Sequence, residues 1–407
     1  MSVNSSAPGA TTRSVVTQLL PIIAVVFIAF LVIGLALPVL PLHVHKGLGL
    51  GTFVVGLVAG AQFGVSLLSR FWAGHFADSR GAKRATVTGL LVAALAGLLY
   101  FLSLLFVSQP VISVTILLIG RAVLGGAESF IVTGAFTWGL ALVGPQNTGT
   151  IMAWVGTAMY AAFAIGAPAG TSLYAAHGFA GIALATGLIP LVTLLLVAPR
   201  RSVPSLPHAR PAFTKVVRVV WLPGIGLALS SVGFGAITTF IVLLFARYGW
   251  GQAWLAFTLV SVTFMTGRLI FGHLPDRLGG AKIALIFVVI EAAGQALIWL
   301  ANWPALALFG AAVTGFGYSI VYPGFGVEAV RHVPPANRGL AMGAYTAFLD
   351  LALGLANPAL GLVASGVGLG AAFLVSTLVV LCAAVIAVWL LNTPSLDIAN
   401  RHPDYEQ

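Results

Sequence analysis

Charged side chains are scarce in this chain of 407 residues, and so is cysteine. Asp, Glu, Lys and Arg together make up 7% of the sequence, whereas they make up about 25% of an ordinary globular domain. The one cysteine, Cys382, cannot form a disulfide within the chain, and its apolar surroundings indicate a small packed hydrophobic side chain. The shortage of charge excludes a water-soluble domain as the main part of the protein.

Hydrophobic residues account for 59% of the sequence and form long runs. A helix needs about 20 mostly apolar residues to cross the ~30 Å hydrocarbon core of a bilayer. This rule predicts an all-α membrane protein with twelve transmembrane helices, and the polar residues 1–15 lead into the first span without a removable signal peptide. The predicted spans lie near residues 16–42, 51–76, 83–107, 110–142, 147–174, 178–198, 219–246, 252–275, 281–302, 304–332, 338–365 and 368–392.

The positive charges are distributed unequally between the two sides of the predicted membrane. An even number of spans puts both termini on one side, and that side receives 14 of the 19 Lys and Arg residues. The other side receives only Lys46 and Arg247, while Arg70, Arg121 and Arg268 fall within spans. This asymmetry follows the positive-inside rule, so we expect both termini in the cytoplasm. The formal charge of +10 therefore marks orientation and gives no reason to expect nucleic-acid binding.

A short polar sequence occurs twice, as GHFADSRGAK at 74–83 and as GHLPDRLGGAK at 272–282. Around it the two halves of the chain align at a constant offset, and a later block aligns at a slightly shorter one. We therefore predict two six-helix bundles related by a pseudo-twofold axis. The bundles comprise residues 1–198 and 219–407, with a cytoplasmic linker at 199–218. The aligned pairs include Arg70/Arg268, Gly74/Gly272, Asp78/Asp276 and Gly81/Gly279 in the first block, and Gly125/Gly315, Ser129/Ser319 and Pro168/Pro358 in the second.

These residues resemble the major facilitator superfamily of secondary transporters. The first polar sequence is similar to the loop between the second and third helices in that family, and Arg121 with Gly125 resembles its fourth-helix element. Gly156 and GAPAG at 166–170 are similar to the fifth-helix signature of exporters. The resemblance covers the whole chain and is closest to the drug/proton antiporter branch with its arabinose-efflux-like members. It implies alternating access of one half against the other in the inner membrane of a bacterium.

The repeated polar sequence suggests a pair of latches built on Asp78 and Asp276. An acid at a helix end can accept hydrogen bonds from the N-terminus of a neighbouring helix. Our hypothesis is that the latches stabilise the state closed to the cytoplasm, each by on the order of 1–3 kcal/mol. The alternative is a charged loop that only fixes orientation. The residues assigned to the latches are Asp78, Arg70, Gly74, Gly81, Lys83, Arg84, Asp276, Arg268, Gly272 and Gly279.

Ionisable groups within spans are costly and are expected to be functional. Asp350, near mid-membrane, and Glu128 are the predicted proton carriers, and Arg121 lies two turns from Glu128 on the same helix face, where it can tune that acid. Glu291 ranks below them because the third helix of each half packs peripherally in the resembled family. The alternative for all of these groups is a structural role as satisfied polar contacts between helices.

Two other groups receive structural interpretations. Glu328 lies three residues before Arg331, so we predict an ion pair within one helix. His43 and His45 flank one residue at the end of the first span, and without further ligands they predict a solvated helix end and no metal site.

Aromatic and small polar residues on helices that the resemblance places around a central cavity are candidates for its lining. Ordinary packing is the alternative for each. Together they favour a neutral or weakly cationic substrate, because a polyanion would need several converging Arg or Lys side chains. The candidates are Trp154, Tyr160, Thr238, Tyr318, Tyr322, Tyr345 and Asn357.

The predicted function is proton-coupled export of small organic molecules by a monomer that uses no cofactor. Its partners are the small-molecule substrate, protons and the lipid bilayer. The alternative in the same fold is proton symport for uptake of a sugar or organic acid, and the alternative from another class is a non-transporting receptor or scaffold. The sequence has no HExxH or GxSxG motif and no phosphate-binding loop, so neither an enzyme nor ATP-driven transport is predicted.

Overall fold

The computed structural model describes residues 12–144, 147–200, 202, 213–331, 333 and 338–392. Most of the predicted linker lies outside these residues. Within the described ranges every regular element is a helix. The α-helices are α1 (Thr12–Ala36), α2 (Leu40–Leu42), α3 (Thr52–Arg80), α4 (Ala82–Leu104), α5 (Pro110–Val143), α6 (Thr148–Val197), α7 (Phe213–Tyr248), α8 (Trp254–Phe271), α9 (Leu274–Leu278), α10 (Gly280–Trp299), α11 (Pro304–Val330), α12 (Arg338–Gly366) and α13 (Leu369–Asn392), and a π-helical turn covers His43–Gly47.

The number of membrane crossings matches the predicted fold class. In the described part of the chain, eleven helical segments are long and apolar enough to cross a membrane. One of them, Gly149–Val197, has 49 residues, more than twice the length that a single crossing needs. Gly178 inside it has φ 60° and ψ −159°, a conformation that breaks the helix and that suits glycine. Dividing α6 at Gly178 gives the twelve predicted spans.

The sequence explains where several helices begin and end. Pro110 and Pro304 are the first residues of α5 and α11, the fourth spans of the two halves. Proline is tolerated at this position because the first N–H groups of a helix have no carbonyl partner within the helix. Gly81 and Gly279 close the two polar repeats with φ values of 96° and 94°. These matching angles give the two repeats the same turn into the next helix.

The two repeats differ before that turn. In the first half, α3 continues through Gly74 to Arg80. In the second, α8 ends at Phe271 and a separate short helix, α9, follows. Pro275 stands in the first turn of α9 and lacks the N–H that a continuous helix would use.

The two halves meet along α3 and α12. The Thr52 hydroxyl donates to the Gly361 carbonyl at 2.9 Å. A Cβ placed on Gly60 would lie 2.7 Å from the Gly354 carbonyl oxygen, so small residues allow this approach. A second junction joins α6 and α8, where the Thr258 hydroxyl donates to the Ala164 carbonyl at 2.9 Å. The Thr52 contact lies at the end of α3 away from the first polar repeat, so the halves are joined on the side opposite the predicted cytoplasmic side.

Candidate functional site

A polar stripe on α3 forms one wall of the candidate site. Gln62, Ser66 and Arg70 are spaced four residues apart and therefore share one face of the helix. The Arg70 Nε donates to Asp350 Oδ2 on α12 at 2.5 Å. Asp350 is 2% exposed and Arg70 is 25% exposed. This ion pair joins the N-terminal half to the C-terminal half.

Glu128 joins the same cluster from α5. The Gln62 Nε2 donates to Glu128 Oε2 at 2.7 Å. The Ser66 hydroxyl lies 3.4 Å from Asp350 Oδ2, where it can donate, and Ser129 donates to the Ser66 carbonyl at 2.7 Å. The two predicted proton carriers thus lie in one network with a single direct cationic partner, Arg70. We refer to Gln62, Ser66, Arg70, Glu128, Ser129 and Asp350 as the central cluster.

Arg121 makes its hydrogen bonds to other helices and forms no direct pair with Glu128. Its Nε donates to the Val58 carbonyl and its Nη1 to the Tyr100 hydroxyl, both at 3.4 Å. Arg121 is 3% exposed and holds α5 against α3 and α4. Arg121 still lies within electrostatic range of Glu128, so its tuning of that acid stays a prediction.

Glu291 is buried within the C-terminal half, on α10, which packs against helices of its own half. It has no exposed surface, and the Ser230 hydroxyl of α7 donates to its Oε2. Its Oε1 has no hydrogen-bond partner among the described residues. Nearby, Gln295 Nε2 donates to the Gly233 carbonyl at 3.1 Å and to the Thr314 hydroxyl at 3.2 Å. Glu291 therefore binds within its own half and is not part of the central cluster.

The polar repeats place their residues in several environments. Lys83 Nζ donates to the carbonyl oxygens of Ala198 at 2.8 Å and Arg200 at 2.7 Å, so this cation caps the C-terminal end of α6. Arg84 and Asp276 are exposed, and Asp78 is half-buried in the last turn of α3. Arg70 pairs with Asp350 of the other half, and Arg268 lies near Tyr160 of the other half, so both arginines face the opposite half and their role in the latches stays a prediction.

Glu328 accepts a hydrogen bond from the N-terminus of a neighbouring helix, the interaction that the latch hypothesis predicts for Asp78 and Asp276. Arg331 Nη1 donates to Glu328 Oε2 at 3.1 Å, which confirms the predicted pair. The other oxygen, Oε1, accepts a hydrogen bond of 3.1 Å from the Ala281 amide in the first turn of α10. An acid thus binds a helix N-terminus near the second repeat, but it comes from α11.

Four of the seven predicted cavity residues, all of them tyrosines, lie near one another, and three of the four interact with Arg268. Its guanidinium carbon lies 5.9 Å from the centre of the Tyr322 ring, and Tyr160 and Tyr345 lie within electrostatic range. Tyr318 stacks on Phe234 at 5.7 Å between ring centres. We call Arg268, Tyr160, Tyr318, Tyr322 and Tyr345 the tyrosine cluster.

The other three predicted cavity residues lie elsewhere. Thr238 donates to the Phe234 carbonyl in its own helix at 3.0 Å. Asn357 is fully buried at the α3–α12 junction, and its amide atoms have no partner in the described ranges. Trp154 is 38% exposed near the start of α6.

Sequence reasoning missed Gln62, Ser66 and Ser129. A signal was present, because polar residues at four-residue spacing in an apolar span predict a polar helix face. Ser129 also belonged to the second aligned block. In the described residues no cluster of side chains has the composition of a metal site.

Comparisons with known proteins agree with this architecture. Residues 22–280 and 225–404 match the Major Facilitator Superfamily. The chain is 40% identical over 388 residues to the "Uncharacterized MFS-type transporter STM4428" of Salmonella typhimurium, covering 95% of this chain and 99% of that protein. It is 41% identical over 367 residues to the "Uncharacterized MFS-type transporter YhhS" of Escherichia coli K12, covering 90% and 89%.

Solved structures share the fold at low sequence identity. The nucleoside transporter NupG superposes with a TM-score of 0.75 at 14% identity, covering 92% of this chain and 99% of that one. The Escherichia coli fucose:proton symporter FucP gives 0.64 at 16% identity, covering 94% and 100%. At such identity the likeness establishes the fold alone.

Proposed function

This chain belongs to the major facilitator superfamily, and from that premise we propose that it is a proton-coupled secondary transporter that works by alternating access. Membership makes it a multi-pass membrane transporter of small molecules and not an enzyme. The observation that carries the coupling proposal is the Arg70–Asp350 ion pair, because it joins the two halves at a buried carboxylate. A group that can take up a proton there can change how the halves bind each other.

The coupling step follows from the charges of the central cluster. With Asp350 ionised, the pair with Arg70 stabilises the arrangement in which α3 and α12 are joined. Protonation removes the negative charge, which weakens the pair and lowers the free energy needed to separate the helices. Glu128 lies in the same network and is a second proton site, able to compensate Arg70 when Asp350 is neutral.

Export of small organic molecules is the direction we propose. Its support is the fifth-helix sequence GAPAG at 166–170 in α6. Proton symport for uptake is the second candidate, since the same pair could couple movement in either direction. We further propose that the protein works as a monomer, with both termini on the cytoplasmic side of the bacterial inner membrane.

The test is transport by purified protein in liposomes with an imposed pH gradient. A panel of radiolabelled small organic molecules is screened for gradient-driven movement by the wild type. Asp350→Asn is expected to abolish the response to the gradient while substrate exchange without a gradient persists, because Asn cannot carry a proton.

Glu291→Gln is the matched control. It neutralises an equally buried acid that contacts only its own half, so gradient-driven movement should persist in it. Gradient-driven movement at the wild-type rate in Asp350→Asn would remove Asp350 from the coupling mechanism.

A further inference from the structure

The two arginines that the sequence repeat pairs have different partners. Arg70 binds the carboxylate of Asp350. In the described residues Arg268 has no carboxylate partner, and its interactions are with tyrosines of α6, α11 and α12. A guanidinium inside a membrane protein without a counter-ion is costly, and such groups usually serve a substrate or ion pathway.

The repeat explains how Arg268 came to lack an acid. At the offset that pairs Pro358 with Pro168, Asp350 pairs with Tyr160. Tyr160 lies on the N-terminal half and faces α8, just as Asp350 lies on the C-terminal half and faces α3; its ring stacks on Phe264 at 3.6 Å between centres. The position opposite Arg268 therefore carries a neutral phenol where the position opposite Arg70 carries a carboxylate.

Among the residues that the structure describes, three of the four hydroxyls in the tyrosine cluster form hydrogen bonds within the protein, and the fourth forms none. Tyr345 donates to the Tyr322 carbonyl at 2.9 Å. The Tyr322 hydroxyl bonds Thr346 at 2.8 Å, and the Tyr318 hydroxyl bonds Ser231 at 3.0 Å. The Tyr160 hydroxyl has no hydrogen-bond partner among the described residues, and its oxygen is not sealed from solvent. Arg268, itself only partly buried, and Tyr160 thus supply free donors from opposite halves.

We propose that Arg268 and Tyr160 bind the carboxylate of the substrate, and that the transported molecules are small organic monocarboxylates with an aromatic or apolar body. The guanidinium fork matches a carboxylate in geometry and charge, and the phenol adds one further donor. The faces of Phe264, Phe234 and Tyr318 suit the apolar body. A single guanidinium supplies one positive charge, which favours monocarboxylates over dianions. This inference rests on the proposed transport function, and it replaces the neutral or weakly cationic substrate expected from the sequence.

The test compares near-isosteric ligands of different charge: phenylacetate, phenylacetamide, phenethylamine and phenylphosphonate. Binding to the full chain in lipid nanodiscs is measured by calorimetry. We expect phenylacetate to bind at least about tenfold more tightly than the amide or the amine, because a hydrogen bond to a charged group is worth about 1.5–3 kcal/mol. Absence of phenylacetate binding, or a preference for the amine, amide or phosphonate, would overturn the proposal.

The variants assign the preference to the two side chains. Arg268→Gln should weaken phenylacetate binding about tenfold or more and leave the amide unchanged. Tyr160→Phe keeps the ring and its stacking and should weaken phenylacetate binding by a smaller factor. Tyr160→Asp recreates the arrangement of the first repeat, so the new carboxylate should pair with Arg268 and abolish phenylacetate binding. Arg277→Gln removes an exposed arginine of α9 and should leave the binding of phenylacetate and of the amide unchanged.

The failure of this inference differs from failure of proton coupling. If Arg268→Gln and Tyr160→Phe both bind phenylacetate as the wild type does, while the unfolding temperatures of the variants are unchanged, the carboxylate subsite is refuted. Absence of a pH-gradient response in the wild type, or an unchanged response in Asp350→Asn, would refute coupling and leave an Arg268-dependent carboxylate preference standing.

Discussion

At the scale of single residues, the protein places its buried charges in three different settings. Among the described residues, Asp350 pairs with a cation, Arg268 interacts with tyrosines and has no carboxylate partner, and Glu291 accepts from a serine hydroxyl through one oxygen while its other oxygen has no partner. The cost of burying a charge depends on the partners that are present, so these settings predict different responses to neutralisation.

Arg70 and Asp350 should show strong coupling in a double-mutant cycle. Arg70→Gln leaves the buried Asp350 without its cation, and we expect a loss of stability on the order of 1–3 kcal/mol at a pH where Asp350 is ionised. The double variant Arg70→Gln/Asp350→Asn removes both charges and should recover much of that loss. Thermal unfolding in detergent measures all three variants. Additive losses in the double variant would show that the two residues stabilise the fold independently.

The sequence located the buried charges but not their partners. Asp350 and Glu128 could be selected because acids are rare in apolar spans. Their meeting at the stripe of Gln62, Ser66 and Arg70 could not be predicted, because periodicity places a residue on a helix face and does not say which helix it faces. The same limit left the contacts of Arg121 with Val58 and Tyr100, and of Arg268 with the tyrosines, unpredicted.

At the scale of helices and turns, the sequence was a better guide. The twelve spans follow from the length of the apolar runs, and the repeat predicts matching turns at Gly81 and Gly279. The break between α8 and α9 depends on Pro275, whose position in the second copy is visible in the sequence. Its consequence for helix continuity went unpredicted, because two copies of a motif were expected to fold alike.

Gly279→Ala tests whether the turn before α10 requires glycine for its backbone conformation. A Cβ at this position meets no atom within 4 Å, so any cost of Gly279→Ala comes from the backbone angle of φ 94°. We expect a loss of about 1–3 kcal/mol, since this region of backbone conformation favours glycine strongly. Thermal unfolding measures the loss.

Gly251→Ala is the matched control for this turn. Gly251 also has open space around it but no positive φ, so its substitution should be neutral or slightly stabilising. Equal unfolding temperatures for Gly279→Ala and Gly251→Ala would contradict the conformational explanation.

At the scale of the whole molecule, the two halves are joined partly by close packing with a hydrogen bond and partly by an ion pair. Small residues and the Thr52–Gly361 hydrogen bond join α3 to α12 at one end. Further along α3, towards the first polar repeat, the junction becomes ionic at Arg70 and Asp350. Under the proposed coupling mechanism, the ionic contact responds to protons and the packing contacts do not, so the proton-dependent part of the junction lies at this pair.

The most direct test of this claim is the distance between the halves as a function of pH. Spin labels at Lys46→Cys and Val367→Cys, both exposed positions, report separation on the joined side in a Cys382→Ser background. On acidification we expect the wild type to shift to longer distances, and Asp350→Asn to show the longer distances at every pH. A pH-dependent shift of the same size in Asp350→Asn would contradict the account, because the titrating group would then lie elsewhere.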